Sequence, residues 1–266
     1  MDFHEFLRET APLLGLQSRP FQKRNIRRKV ERRIAEIGLS HFEEYLLRVK
    51  EDPTEQNRLS KVLTVTISRF FRDQEVFKTI EASLIPAVIK ERDGNDLKIW
   101  SIGCASGEEP YSLSILWKEK FEKIWPQIHF SILATDIDEK LLKRANEGRY
   151  KKSSLKEVPE DVLKGYFEMD NGFYIVDQAI RKCVQFKRHE IIHEESFSGM
   201  DIVLCRNLAF TYFSKESQMD VSKKIAESLR GKGYLVIGKD ESLPLTYPTL
   251  FVPTHPTEKI YKRFSF

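Results

Sequence analysis

The chain has 266 residues, is 41% hydrophobic and 32% charged, and carries a net charge of +4. That length fills one large domain, or a medium domain with a small one beside it. No run of about 18 apolar residues is present, which excludes a transmembrane helix, and 12 glycines in the whole chain exclude collagen-like and Gly-rich disordered classes. The opening stretch, MDFHEFLRETAPLLGL, has acids where a signal peptide needs a basic region, and it has no apolar core. A cytoplasmic location is therefore expected. Cys104, Cys183 and Cys205 are odd in number and form no C-x-x-C, which fits a reducing compartment without a disulfide framework or a cysteine zinc site.

Residues 1–62 read as a helical, basic domain punctuated by Gly38 and Pro53. Within it, residues 18–33 hold eight basic side chains against one acid, Glu31, a local charge of +7. Ile26, Val30 and Ile34 recur every four residues and predict a packed stripe. Arg24, Arg28 and Arg32 sit two positions away, about 200° round the helix, and are expected to face outward. Arginine suits a bidentate grip on carboxylates better than lysine does. These three are candidate contacts for an acidic partner, with a solvated face as the alternative. Residues 63–90 read as a linker and connecting helix.

Over residues 91–266 short apolar runs alternate with helix-like segments. The runs are LKIWSIG (97–103), HFSILATDID (129–138), CVQF (183–186), DIVLCRN (201–207) and GYLVIGKDE (233–241); the helix-like segments are 110–123, 139–147 and 215–229. This alternation predicts an α/β fold with a doubly wound, mainly parallel sheet covered on both faces. TLFVPTHP (249–256) and KIYKRF (259–264) have no helix between them and predict a C-terminal antiparallel hairpin. Residues 151–182 break the alternation with a helical piece (160–167) and GFYIV (172–176), which predicts a small inserted α/β subdomain at the sheet edge.

The first apolar run ends in Gly103-Cys104-Ala105-Ser106-Gly107-Glu108-Glu109. Glycine after a strand lets a ligand approach the backbone, and open α/β sheets bind ligands at the carboxyl ends of their strands. The pattern is neither G-x-G-x-x-G nor a P-loop. Two acids at the mouth would repel a pyrophosphate and suit a cationic ligand. Asp136, ending the next run, is placed to accept from ribose hydroxyls. A nucleoside carrying positive charge in place of phosphate describes S-adenosyl-L-methionine.

With these blocks in view, the sequence resembles the CheR chemotaxis-receptor methyltransferases, which methylate receptor glutamates using S-adenosyl-L-methionine. The resemblance covers nearly the whole chain, through GLSHFEEYL (38–46), LTVTISRFFRD (63–73), WSIGCASGEEPYSL (100–113), ATDIDEKLLKRANEGRY (134–150), VLCRN (203–207) and GKGYLVIGKDE (231–241). It implies a class I S-adenosylmethionine methyltransferase, Rossmann-like, whose product is S-adenosyl-L-homocysteine. It implies cofactor contacts from Thr66, Ser68 and Arg72, from Gly103 and Glu109, from Asp136 and Ile137, from Glu190 and Ile191 at the adenine end, and from Arg206 and Asn207. Arg72 is also the candidate for orienting a carboxylate, and Tyr212 for lining the methyl-transfer site. The implied partner is an acidic protein acceptor such as a chemoreceptor cytoplasmic domain, met by a monomer, with no nucleic acid and no membrane insertion.

The chain departs from the family pattern in places. Thr66, Ser68 and Glu190 replace Asn, Thr and Asn. Four residues instead of three separate Asn207 from Tyr212, and Gly238-Lys239-Asp240-Glu241 replaces Gly-His-Ser-Glu. The last two border the substrate side. A different protein or small-molecule acceptor, or a cofactor-binding module without turnover, therefore stands beside the main reading. His189-Glu190-Ile191-Ile192-His193 matches the zinc signature H-E-x-x-H, but no cap precedes it and no apolar stripe continues it, so no metal is expected. Cys104 and Cys205 read as buried small hydrophobes. The basic helix by itself would suit nucleic acid, but it lacks aromatic interleaving beyond Phe21.

Overall fold

The computed structural model describes residues 1–63, 68–246 and 249–264. Four helices come first: α1 (Phe3–Leu13), α2 (Arg24–Glu36), α3 (Phe42–Glu51) and α4 (Pro53–Leu63). Asp2 and Glu5 close the start of α1 as a reciprocal capping box. On α2 the stripe Ile26, Val30 and Ile34 is buried, and Arg24, Arg28 and Arg32 are exposed, as the spacing predicts. Arg33, on the same helix, turns inward. It grips Glu55 of α4 with two hydrogen bonds of 2.8 and 2.7 Å, and the Tyr45 hydroxyl donates to the same carboxylate at 2.8 Å.

Helices α5 (Gln74–Thr79) and α6 (Ile85–Glu91), joined by a π turn, lead into β1 (Asp96–Ile102). Then follow α7 (Glu108–Lys120), β2 (His129–Asp136), α8 (Glu139–Glu147), β3 (Arg149–Tyr150), α9 (Glu160–Tyr166), β4 (Phe167–Asp170), β5 (Phe173–Val176), α10 (Gln178–Arg181) and β6 (Val184–Arg188). The chain ends with β7 (Met200–Cys205), α11 (Ala209–Tyr212), α12 (Lys215–Ser228), β8 (Leu229–Ile237), β9 (Phe251–His255) and β10 (Ile260–Arg263).

The main sheet has seven strands in the order β6-β2-β1-β7-β8-β10-β9. The first five are parallel, and β10 pairs antiparallel with both β8 and β9, which is the expected hairpin. The strand order turns back between β1 and β7, a topological switch point. Side chains alternate across the sheet. Trp100, Ile102, Val203, Cys205, Leu235 and Ile237 face one cluster, while Leu97, Ile99, Ile202, Leu204, Tyr234 and Val236 face another, with α5, α6 and α7.

The first cluster also contains Phe6, Leu7, Phe21, Ile26, Val30 and Tyr45. The amino-terminal helices thus share a core with the sheet. The linking backbone is explicit: Gln17 N–H donates to the Tyr212 carbonyl at 2.8 Å, and Ser214 N–H donates to that of Gly15 at 2.8 Å. The insertion does not join the main sheet. It makes its own three-stranded sheet, β3-β5-β4, because Arg149 and Tyr150 leave α8 early enough to pair with β5. The runs at 97–103 and 129–138 end sooner as strands, at Ile102 and Asp136, so the residues that follow are loop at the ligand-binding edge.

Candidate active site

A cavity of about 480 Å³ opens at the carboxyl ends of β1, β2 and β7, within the size range of small-molecule sites. Its floor is the loop after β1. Gly103, at φ +71°, lies so close to Leu208 that a Cβ there would come within 2.5 Å of the leucine. Gly107, at φ +90°, ends the loop and starts α7, with Ala145, Phe186 and Tyr150 crowding it. The positive φ makes a β-carbon strained at either position, and the neighbours would have to shift to admit one. Ala105, between them, also has positive φ, and its N–H donates to Asp136 Oδ2 at 2.9 Å.

Asp136 ends β2 and lines the cavity. Its other oxygen accepts from Asp138 N–H at 2.9 Å. A carboxylate has about four acceptor sites, so this one can still take hydroxyl donors. Burial pushes its carboxyl above the usual range, and the two N–H groups pull the other way. Ile137 lines the same cavity, as do Glu190, Ile191 and Ile192 from the turn after β6.

The two acids after Gly107 part company. Glu109 lines the cavity, but Glu108 is buried away from it, accepting from the Ser106 hydroxyl at 2.9 Å. The expectation of two acids at the mouth is corrected to one, because successive residues of α7 point about 100° apart. Glu109 is itself engaged: it accepts from Ser101 Oγ at 2.8 Å and from Arg206 Nη1 at 3.0 Å.

Arg206 lines the cavity, yet its guanidinium also donates to Asp73 at 2.7 Å and to the Arg72 carbonyl at 3.0 Å. It therefore acts within the protein as a clasp, tying the loop before α5 to α7. Phe71 and Asp73, on either side of Arg72, both have positive φ, a strained arrangement that presents Arg72 at the cavity. Ser68 lines the cavity as well, and Thr66 lies outside the described residues.

Asn207, also at positive φ, follows β7 and lines the cavity. Its N–H donates to Glu241 at 2.8 Å; Gly238 N–H and Thr211 Oγ1 donate to the same carboxylate at 2.6 Å each. Tyr212 lines the cavity despite the extra residue before it, stacked on Phe21 with ring centroids 5.4 Å apart. Burial pushes its phenol up, and the nearby charge of Arg72 opposes that.

The H-E-x-x-H stretch is a turn. His189 is buried edge-on against Trp100 and bonded through Nε2 to the Glu195 carbonyl at 2.9 Å, while the His193 side chain is 69% exposed. The two imidazoles share no face. His189 lines the cavity, and in the sequence it is visible only as half of the zinc signature. Leu14, Leu16 and Lys23 also reach the cavity, which no local motif announces. Cys104 and Cys205 are buried, and burial pushes the Cys104 thiol well up, so it stays protonated. Among the described residues no cluster of His, Cys, Asp or Glu could hold a metal, and no helix is long and apolar enough to cross a membrane.

An acid at the end of β2, apolar walls at Ile137 and Ile191, and a floor without a phosphate cradle fit an uncharged nucleoside with a cationic tail. The family description "CheR methyltransferase, SAM binding domain" matches residues 66–260. The chain belongs to the CheR methyltransferase family. A chemotaxis protein methyltransferase of Listeria innocua is 31% identical over 242 residues, 91% of this chain and 90% of that protein. Chemotaxis protein methyltransferase 2 of Vibrio cholerae is 30% identical over 202 residues, 74% and 69% of the two chains. A TehB-like SAM-dependent methyltransferase of Corynebacterium glutamicum has a solved structure that is 13% identical, with a TM-score of 0.38, over 71% of this chain and 92% of its own. This CheR-family protein is an S-adenosyl-L-methionine-dependent methyltransferase.

Proposed function

We propose that this CheR-family methyltransferase esterifies glutamate side chains of an acidic protein acceptor, the cytoplasmic part of a chemoreceptor. One observation supports this acceptor class: Lys23 lines both the cofactor cavity and a second groove whose lining includes Arg24, Arg27 and Arg28, with one acid, Glu31, paired to Arg27. An acidic helix lying along α2 would reach the cavity mouth over a predominantly basic surface. Relatives described as chemotaxis protein methyltransferases support the same reading. Residues 1–62 then recognise the acceptor, and 91–266 hold the cofactor. A single copy of the chain in the cytoplasm suffices.

In this reading Asp136 holds the ribose, Ile137 and Ile191 cover the adenine, and Glu190 accepts from its amine. When bound, the cofactor supplies a methyl carbon activated by a sulfonium sulfur. A glutamate carboxylate, with a pKa of about 4.3, is ionised at pH 7, so no strong base is required of the protein. Arg72 orients a carboxylate beside Tyr212. Arg206 fixes the Arg72 loop through the Arg72 carbonyl and Asp73. The chain contributes alignment of the attacking oxygen, and the wall of Leu14, Leu16, Tyr212 and Phe213 strips water from it.

The test is incubation with methyl-labelled S-adenosyl-L-methionine and a chemoreceptor cytoplasmic fragment. Label should enter the fragment and leave as methanol in base. Base-stable label would exclude an ester, and an unlabelled fragment would exclude this acceptor.

A further inference from the structure

The turn at 190–194 brings Glu190, Ile191 and Ile192 to the cavity, and its backbone is held by a residue outside it. Lys224, half-buried on α12, donates to the carbonyls of Ile191 at 3.1 Å, Ile192 at 2.8 Å and Glu194 at 2.9 Å. An ammonium has three N–H donors, and here each has a carbonyl. The Glu190 carbonyl is taken within the turn by the N–H groups of His193 at 3.1 Å and Glu194 at 2.9 Å. Arg188 pairs with Glu190 and with Glu194. Glu190, Ile191 and Ile192 line the cavity, whereas Lys224 is not among its lining residues.

We infer that Lys224 is a cofactor-positioning residue: by drawing three carbonyls onto α12 it holds Glu190 and Ile191 in the wall against which the adenine rests. The inference rests on the adenine placement proposed above. The turn's own bonds end on the Glu190 carbonyl and the Arg188 pairs hold side chains, so the peptides at Ile191, Ile192 and Glu194 sample several states once Lys224 is removed. Apparent affinity then falls by the fraction of time the binding-competent state is populated. Charge-assisted bonds are the stronger kind, so losing three of them leaves that state a minor one.

The experiment compares Lys224→Met, which keeps the aliphatic length, with Lys224→Arg, which keeps a multi-donor cation, and with Asp136→Ala. Calorimetry measures S-adenosyl-L-homocysteine and 5′-methylthioadenosine, which share adenine and ribose but differ at the carboxylate end. Lys224→Met should weaken both ligands about tenfold, and Lys224→Arg should restore both to within about threefold of wild type. A merely structural role would lower the melting temperature while leaving affinity, measured well below it, unchanged. Wild-type affinity in Lys224→Met with weakened binding in Asp136→Ala overturns the inference and leaves the cofactor site standing. Wild-type affinity in both overturns the cofactor site and the inference with it. If Lys224→Met fails to fold, Lys224→Gln replaces it under the same criteria.

Discussion

Asp136 and Glu241 are both buried carboxylates with raised pKa values, yet they serve different ends. Asp136 faces the cavity with acceptor capacity to spare. Replacing it with Ala should cost about 1–3 kcal/mol of S-adenosyl-L-homocysteine binding, the worth of a charge-assisted hydrogen bond, read by calorimetry. Glu241 spends its oxygens inside the protein, on Asn207, Gly238 and Thr211. Burial is the largest influence on it, and it raises the pKa. The folded state therefore holds the Glu241 proton more tightly than the unfolded chain. Stability falls as pH rises from the ordinary carboxylate value to the raised folded value, and is level above it. Glu241→Gln can keep all three contacts, because its amide can donate to the Thr211 oxygen. Denaturant midpoints across that window should decline less steeply with pH in the variant than in wild type.

Helix α2 carries two kinds of arginine, distinguished by the face they occupy. Arg24, Arg28 and Arg32 are exposed, and Arg32 pairs with Glu36 at 3.7 Å. Exposed pairs of this sort contribute ~0–1 kcal/mol. Arg33 and Glu55 are 14% and 5% exposed, and the pair joins α2 to α4 with α3 attached through Tyr45. Truncating Arg33 strands a buried carboxylate, so Arg33→Ala should destabilise the protein by about 3–5 kcal/mol in chemical denaturation. Arg24→Ala should change the unfolding free energy by no more than about 0.5 kcal/mol. The four-residue recurrence of Ile26, Val30 and Ile34 made the helix and its buried face legible in the sequence. The pairing of Arg33 was not legible, since its partner lies 22 residues away.

Across the whole molecule, the basic face of α2 and the cofactor cavity meet at Lys23. Reversing Arg24, Arg28 and Arg32 to Glu should raise KM for a protein acceptor. The wild-type rate should fall with salt, since exposed charges beyond about 10 Å are screened at 0.1 M. Cofactor affinity should stay unchanged, because none of the three lines the cavity. Initial rates at several ionic strengths measure this. A triple variant as active as wild type at low salt would mean that acceptor choice lies elsewhere, around Tyr212 and Asp240.

The pattern along the chain already held the strand-helix alternation, the hairpin, the outward arginine row, and the positions of Gly103, Asp136, Glu190 and Asn207 at the cavity. The elements, Gly103 and Asp136 depend on local periodicity or on a short motif whose geometry belongs to a single turn, whereas Glu190 and Asn207 followed only from the family resemblance. What needed the tertiary structure were the partners. Glu108 and Glu109 are neighbours in sequence, but helix rotation sends one into the core and the other to the cavity. Arg206 carries a motif identity, yet Asp73 and Glu109 decide what its guanidinium does. His189 became a wall residue only when β6 brought it beneath Trp100, and Lys224 gained its three carbonyls only when α12 packed behind the 190–194 turn. Contacts between residues far apart in the chain leave no period to read, because the energy that selects them exists only after the sheet has assembled.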